Sequence, residues 1–237
     1  MATYKNSPPI ITDGLVLHLD AANVKSYPRS GTTWTDLSGN KNNGTLTNGP
    51  TFNSENGGSI VFDGTNDFVT GSLLNLPTGS ADRTVSGWFK TTRVLATNQY
   101  HTIFWYGDLS TNNGFFYTVG GDANMGGVGA ANRFGASQYG DAVGSAETVN
   151  NGLWKNGVIT VSSSLWRLYL NGRQVASKTM TTNTSNTTYR LGYDGIGGST
   201  SFYYQGSLVN IQVYNRALSL QEILQNYNAQ KSRFDLT

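Results

Sequence analysis

The sequence predicts an all-β protein: one β-sandwich of two packed antiparallel sheets, ending on one short C-terminal helix. Three observations predict it. Charged residues make up 13% of the chain, about half the usual ~25% for globular proteins, and Gly, Asn, Thr and Ser fill the gap. Those residues build turns, while the remaining apolar positions favour strands. Second, short segments alternate apolar and polar positions between turn signals, the period of a half-buried strand. Third, the stretch QVYNRALSLQEILQNYNAQ, residues 212 to 230, switches to a helical period. With 237 residues, the chain is long enough to bury one large core.

Residues 1 to 12 read as an N-terminal arm, because Pro8 and Pro9 favour extended backbone. GLVLHLD is the first clear strand, with Leu15, Leu17 and Leu19 expected on one face. GSIVFDG and DFVTG flank GTN and predict a hairpin through Gly64. RTVSGWFK places Val85, Gly87 and Phe89 opposite Ser86 and Trp88. HTIFWYG and GFFYTVG are aromatic, half-buried strands. Residues 121 to 152 are Gly-rich and read as loops with short strands. LWKNGVITVS and SLWRLYLNGRQVAS follow, and Asn171-Gly172 suits a type I′ turn, whose two central residues need positive φ. TYRLGYDG and GSLVNIQVYN close the β part, with Val209, Ile211 and Val213 expected on one face.

The closing helix carries its own start signal. Ser219 and Glu222 match a capping box, and Leu218 and Ile223 are spaced as its hydrophobic staple. Leu220, Ile223, Leu224 and Tyr227 fall at i, i+3, i+4 and i+7, one apolar stripe. No linker or repeat divides the chain. The expected organisation is an arm at 1–12, one domain at 13–230 and a tail at 231–237.

Composition excludes several functions. The formal net charge is +2 and no Lys/Arg run exceeds two, so no nucleic-acid partner is expected. There are no cysteines, hence no disulfide framework and no thiolate-bound metal. No segment approaches the ~18 apolar residues of a membrane span. The N-terminal region lacks the apolar core of an export signal, so synthesis in the cytoplasm is expected. His18 and His101 lie in strands without metal-ligand spacing. GGDANMGGVGAANRFG has glycines but neither a Walker lysine nor a strand–helix context.

The stretch YRLGYDGIGGSTSFYYQGSLVNIQVYNRALSLQEILQNYNAQ resembles the end of laminin G-like domains of the concanavalin A-like lectin/glucanase superfamily. GLVLHLDAAN, WTDLSGNKNNGTL, SIVFDGTNDFV, RTVSGWFK and WRLYLNGRQV agree with it in order, so the resemblance covers about residues 12 to 230. It implies a jelly-roll β-sandwich. Fold alone does not fix function, and the residues must discriminate.

Glucanases of that superfamily use an E-x-D-x-E-type strand, because retaining hydrolysis needs two carboxyls ~5–5.5 Å apart. This chain has three Glu, Glu55, Glu147 and Glu222, and none has that spacing. The expectation is a non-enzyme without a cofactor. Many lectin-like relatives hold Ca²⁺ through carboxylates and carbonyls. Here Asp63 and Asp67 are the candidate ligands, with Asp36 and Asn40 nearby in DLSGNKNNG. The bland alternative is turn chemistry. Where the family pattern has G-x-I-D-E the chain reads GSLVN, with Val209 and Asn210 replacing the acids, which argues against a simple calcium lectin. Candidates for stacking on a sugar are Tyr100, Trp105, Phe134 and Tyr139, against the alternative that such aromatics fill the core.

The ending ILQNYNAQKSRF resembles the version found in tailed-phage virion proteins. The implied function is a non-catalytic bacteriophage structural protein, a capsid decoration, head-fibre, tail or tail-fibre component. It would contact other virion proteins and host-surface glycans and sit on the virion. That context suggests a homotrimer. The alternative is a bacterial carbohydrate-binding module or adhesin.

Overall fold

Alternating strands that are apolar on one side must pair that side with another layer, and the chain does so twice over. A computed structural model describes residues 8–72, 75–96, 99–108, 110–120, 132–185, 188–195 and 203–236. The strands are β1 (Leu15–Asp20), β2 (Thr33–Trp34), β3 (Gly44–Thr47), β4 (Thr51–Asn53), β5 (Ser59–Asp63) and β6 (Phe68–Ser72). Then come β7 (Arg83–Lys90), β8 (Tyr100–Gly107), β9 (Gly114–Gly120), β10 (Arg133–Gln138) and β11 (Asp141–Thr148). The last are β12 (Lys155–Ser162), β13 (Leu165–Leu170), β14 (Arg173–Thr179), β15 (Thr188–Leu191) and β16 (Gln205–Tyr214), followed by helix α1 (Leu220–Gln230).

Among the described residues the strands form two eight-stranded sheets. Sheet I runs β14-β13-β12-β7-β16-β5-β4, with β1 also paired to β16. Sheet II runs β11-β10-β9-β8-β15-β6-β3-β2. Every pairing is antiparallel. This is a jelly-roll sandwich. Its core lies between the sheets and includes Leu17, Leu19, Phe62, Phe89, Phe104, Tyr117, Phe134, Trp166 and Ile211.

One hairpin forms as its residues demand. Asn171 and Gly172 take φ of 49° and 77° between β13 and β14. The hairpin at Gly64 does not form: β5 belongs to sheet I and β6 to sheet II. Gly64, at φ 80°, turns the chain across the sandwich, a step that pattern alone does not separate from a hairpin. Residues 133 to 148 form two full strands, where loops with short strands were expected. β10 puts Phe134 and Ala136 into the core, and small residues leave little contrast in the sequence.

Two bulges redirect apolar faces. The register between β1 and β16 shifts between Leu15 and Leu17, so Leu15 leaves the face of Leu17 and Leu19 and packs outside, near Tyr214 and Ile223. A shift between Leu208 and Asn210 likewise turns Val209 outward beside Trp88 and Phe234, while Ile211 and Val213 stay in the core.

The outer face of sheet I is covered by α1. Ser219 caps the helix, its hydroxyl accepting from Glu222 N–H while the Glu222 carboxylate accepts from Ser219 N–H at 2.8 Å. The buried face differs from the expected stripe. Ile223, Asn226 and Gln230 are buried, whereas Leu220 is 52% and Leu224 38% exposed. Polar partners decide this. Asn226 donates to Tyr214 Oη at 3.0 Å and accepts from Ile11 N–H at 2.8 Å, and Asn210 donates to Gln230. Gln225 also donates to the Pro9 carbonyl, so residues 9 to 11 dock on the helix. Nor does the chain leave the domain at 230. Residues Lys231–Phe234 form a 3-10 turn, Phe234 stacks on Trp88, and Arg233 pairs with Asp20 at 3.2 Å.

Candidate functional site

Sheet I is occupied on its outside by the helix, so sheet II presents the other broad face. Strand alternation determines what it displays. Tyr189 and Leu191 point into the core, so Arg190 between them points out. Register then sets a row across the face: Thr45 opposite Thr70, Thr70 opposite Arg190, Arg190 opposite Trp105, and Trp105 opposite Phe116. The Arg190 guanidinium lies over the Trp105 indole, 5.2 Å from the ring centroid. Gly195 makes room for it, since a Cβ there would lie 2.2 Å from an Arg190 terminal nitrogen.

Beyond β15 the row continues as aromatic rings. Tyr193 and Tyr203 stack at 4.3 Å with an interplanar angle of 8°. Phe68 of β6 lies 6.1 Å from Tyr193. All three are half-buried, which leaves apolar ring surface open to solvent. Burial raises the Tyr193 phenol above its ordinary value; Tyr203 and Asp194 add to this and Arg190 opposes it. Tyr100 donates from its hydroxyl to the buried Asp194 carboxylate at 2.9 Å. Flat rings and a guanidinium are groups that hold a sugar's apolar face and its hydroxyls.

The expected glycan contacts divide. Tyr100 is on this face; Trp105 faces the same way but is buried beneath Arg190, a correction to its expected role as a stacking ring. Tyr139 is 45% exposed in the turn between β10 and β11. Phe134 is a correction: it is fully buried between the sheets, with Phe89 and Tyr117, and has no surface to offer. Arg190, Tyr193 and Tyr203 are the residues the expectation omitted. The alternation in TYRL carried a signal for Arg190. The pairing of Tyr193 with Tyr203 across ten positions carried none.

Asp63 and Asp67 hold a turn. Asp63 Oδ1 accepts from Thr65 N–H at 2.8 Å, and buried Asp67 accepts from Asp63 N–H at 3.0 Å. Those hydrogen bonds outweigh desolvation at Asp63 and lower its pKa, whereas burial raises that of Asp67. Asp36 is similarly engaged, accepting from His18, Ser38 and Asn42 backbone N–H groups at 2.8 to 3.0 Å. Among the described residues no three acidic or histidine side chains converge as a metal site. Val209 and Asn210, where the resemblance would put acids, lie beneath the C-terminal helical segment. The donor set does not fit a Ca²⁺.

Several other polar groups find partners within the chain. A cleft of about 250 Å³ is lined by Ala22, Asn56, Gly57 and Arg233. There Asn56 donates to the Arg233 carbonyl and accepts from Trp154 Nε1, and Arg233 pairs with Asp20. His101 is buried, pushed down to about 3 mainly by desolvation, so it stays neutral. Glu222 serves the cap and Arg216, and Glu147 pairs with Arg173.

Several solved structures with the same architecture are binding domains of toxins. The binding domain of Paraclostridial Mosquitocidal Protein 1 superposes with TM-score 0.70 at 17% identity, over 92% of this chain and 52% of that one. A botulinum neurotoxin serotype D ligand binding domain, solved with N-acetylneuraminic acid, gives 0.69 at 15%, over 93% and 52%. Domain 4 of AbnA, a GH43 extracellular arabinanase from Geobacillus stearothermophilus solved with arabinotriose, gives 0.64 at 17%, over 90% and 98%. The chain thus spans about half the length of the two toxin binding domains and nearly all of the arabinanase domain. At these identities the likeness is one of fold. No curated protein matches the sequence. The sequence pattern of one family matches residues 62–224, more than half of the chain. With its jelly-roll sandwich and that match across both sheets, the chain belongs to the Concanavalin A-like lectin/glucanases superfamily.

Proposed function

We propose that this domain is a non-catalytic glycan-binding module that works through the outer face of sheet II. The observation that carries the reading is the half-buried aromatic row Phe68, Tyr193 and Tyr203 beside Arg190. Stacked rings offer a sugar's C–H face an apolar platform at little conformational cost. Two structural neighbours were solved with arabinotriose and with N-acetylneuraminic acid, which supports saccharide as the ligand class. A glycan array with the intact chain, repeated with Tyr193→Ala and Tyr203→Ala, tests it. Binding by the parent and its loss in both variants is expected. No bound glycan on a broad array overturns the reading.

For its place of work we propose the surface of a bacteriophage particle, as a decoration, head-fibre or tail component packed against other virion proteins. The likeness of ILQNYNAQKSRF to tailed-phage virion proteins supports this location. Mass spectrometry of purified particles tests it, and absence of the chain from them sinks it. Glycan recognition on a virion and on a bacterial surface adhesin would use the same face, so the two proposals stand or fall separately.

A further inference from the structure

We propose that the sheet II face selects saccharides that carry a carboxylate, with Arg190 and the Trp105 indole N–H as the groups that hold the acid. This rests on the glycan-binding reading and narrows it to a chemical class. Arg190 sits half-buried over the Trp105 ring and, among the described residues, forms no ion pair with a carboxylate. Four other arginines have partners within the chain. Arg216 has Glu222 and Asp13, Arg233 has Asp20, Arg173 has Glu147. The fully buried Arg83 donates to the carbonyls of Pro77, Gly79 and Ala81 and to the Tyr106 hydroxyl.

A second observation points the same way. Trp105 is 4% exposed, and its Nε1 is buried with no hydrogen-bond partner. A buried donor without an acceptor is costly, and this one belongs to the ring that Arg190 covers. The guanidinium lies over the ring that carries this donor, and the two together call for one acceptor group with negative charge. The acid already on this face does not supply it, because Asp194 accepts from the Tyr100 hydroxyl and lies near Thr102. A neutral sugar would stack on the tyrosines and could bond the indole N–H, but would leave the guanidinium charge without an anion. A carboxylate matches the planar guanidinium fork with two parallel hydrogen bonds.

The test uses the intact chain and a panel of tetragalacturonic acid, its methyl ester, sialyllactose, lactose and arabinotriose. The acids should bind at least about tenfold more tightly than the methyl ester or lactose, as a charge-assisted contact of ~1.4 kcal/mol or more requires. Added salt should shrink that difference. Arg190→Gln should remove the preference for acids while leaving the melting temperature near that of the parent, and Arg190→Lys should restore part of it. Trp105→Phe should weaken the acids more than the neutral sugars. Equal binding of acid and ester overturns the acidic class and leaves the glycan reading standing. Acid preference that survives Arg190→Gln overturns the assignment to this face. Failure of every panel member overturns this inference, and a blank broad array separately removes the glycan reading beneath it.

Discussion

The Trp88 indole stacks on the Phe234 ring at a centroid distance of 4.1 Å, and Tyr227 lies against the same indole at 5.6 Å. Trp88 comes from the middle of sheet I, and Phe234 lies beyond the last helical turn. The final residues therefore close the outer face of the sheet. Phe234→Ala should destabilise the domain by about 3 kcal/mol, the scale of a large-to-small change in packed surroundings. Urea unfolding measures it. A loss below about 1 kcal/mol would mean that this end adds little to the fold.

Stability should fall in acid through Glu222. Its carboxyl is held at about 2 chiefly by Arg216, below the ordinary 4.5. A depressed carboxyl contributes fully above its unfolded value, so the contribution is present at neutral pH and is lost between about 4.5 and about 2. Glu222→Gln should cost about 1 kcal/mol at pH 7, as expected for a damaged cap. The variant and parent should converge as the pH drops through that window. Parallel stability curves from pH 7 to pH 2 would remove Glu222 as the source.

Phe134 and Tyr193 should behave in opposite ways. Phe134→Ala empties a site between Phe89 and Tyr117 and should cost about 3–5 kcal/mol, with glycan binding reduced only through unfolding. Tyr193→Ala removes one half of a half-buried stack. It should cost about 1 kcal/mol or less and abolish array binding. Thermal melts and arrays on both variants separate the two roles. A folded Tyr193→Ala protein that still binds would dissociate the aromatic row from recognition.

Calcium should leave the melting temperature unchanged. Asp63 and Asp67 each accept backbone N–H groups of their own turn, and among the described residues no three acidic or histidine side chains gather around a cation position. Scanning calorimetry in millimolar CaCl₂ and in excess EDTA compares the two states. A calcium-dependent rise of several degrees would assign a cation site to this chain.

A buried arginine gives the sandwich a sensitive point. The Arg83 guanidinium is fully buried and donates to the carbonyls of Pro77, Gly79 and Ala81. Arg83→Lys keeps the charge but loses the fork, leaving carbonyls without donors, and should cost about 2–4 kcal/mol. Chemical denaturation gives the number. A neutral result would show that the segment from 77 to 81 is held by other contacts.

Local chemistry by itself determined much of this protein. Alternation in RTVSGWFK and HTIFWYG specifies strands because period-two side chains must lie on opposite faces. Asn171-Gly172 specifies a tight turn because both residues tolerate positive φ. Ser219 and Glu222 specify where the helix starts because their groups satisfy each other within four residues. Tertiary structure decided the rest. Bulges at the β1 and β16 pairings sent Leu15 and Val209 to the outer face, since a one-residue shift reverses facing and depends on the partner strand. Asn226 and Gln230 displaced Leu220 and Leu224 from the buried helical face because Tyr214, Ile11 and Asn210 offered hydrogen bonds. The candidate site is likewise a product of register. Arg190 meets Trp105 across two strands 85 positions apart, and Tyr193 meets Tyr203 only where the chain returns beside itself. Short-range patterns encode which way a side chain faces. Which side chains meet on that face is settled by long-range pairing, whose energetics no local window contains.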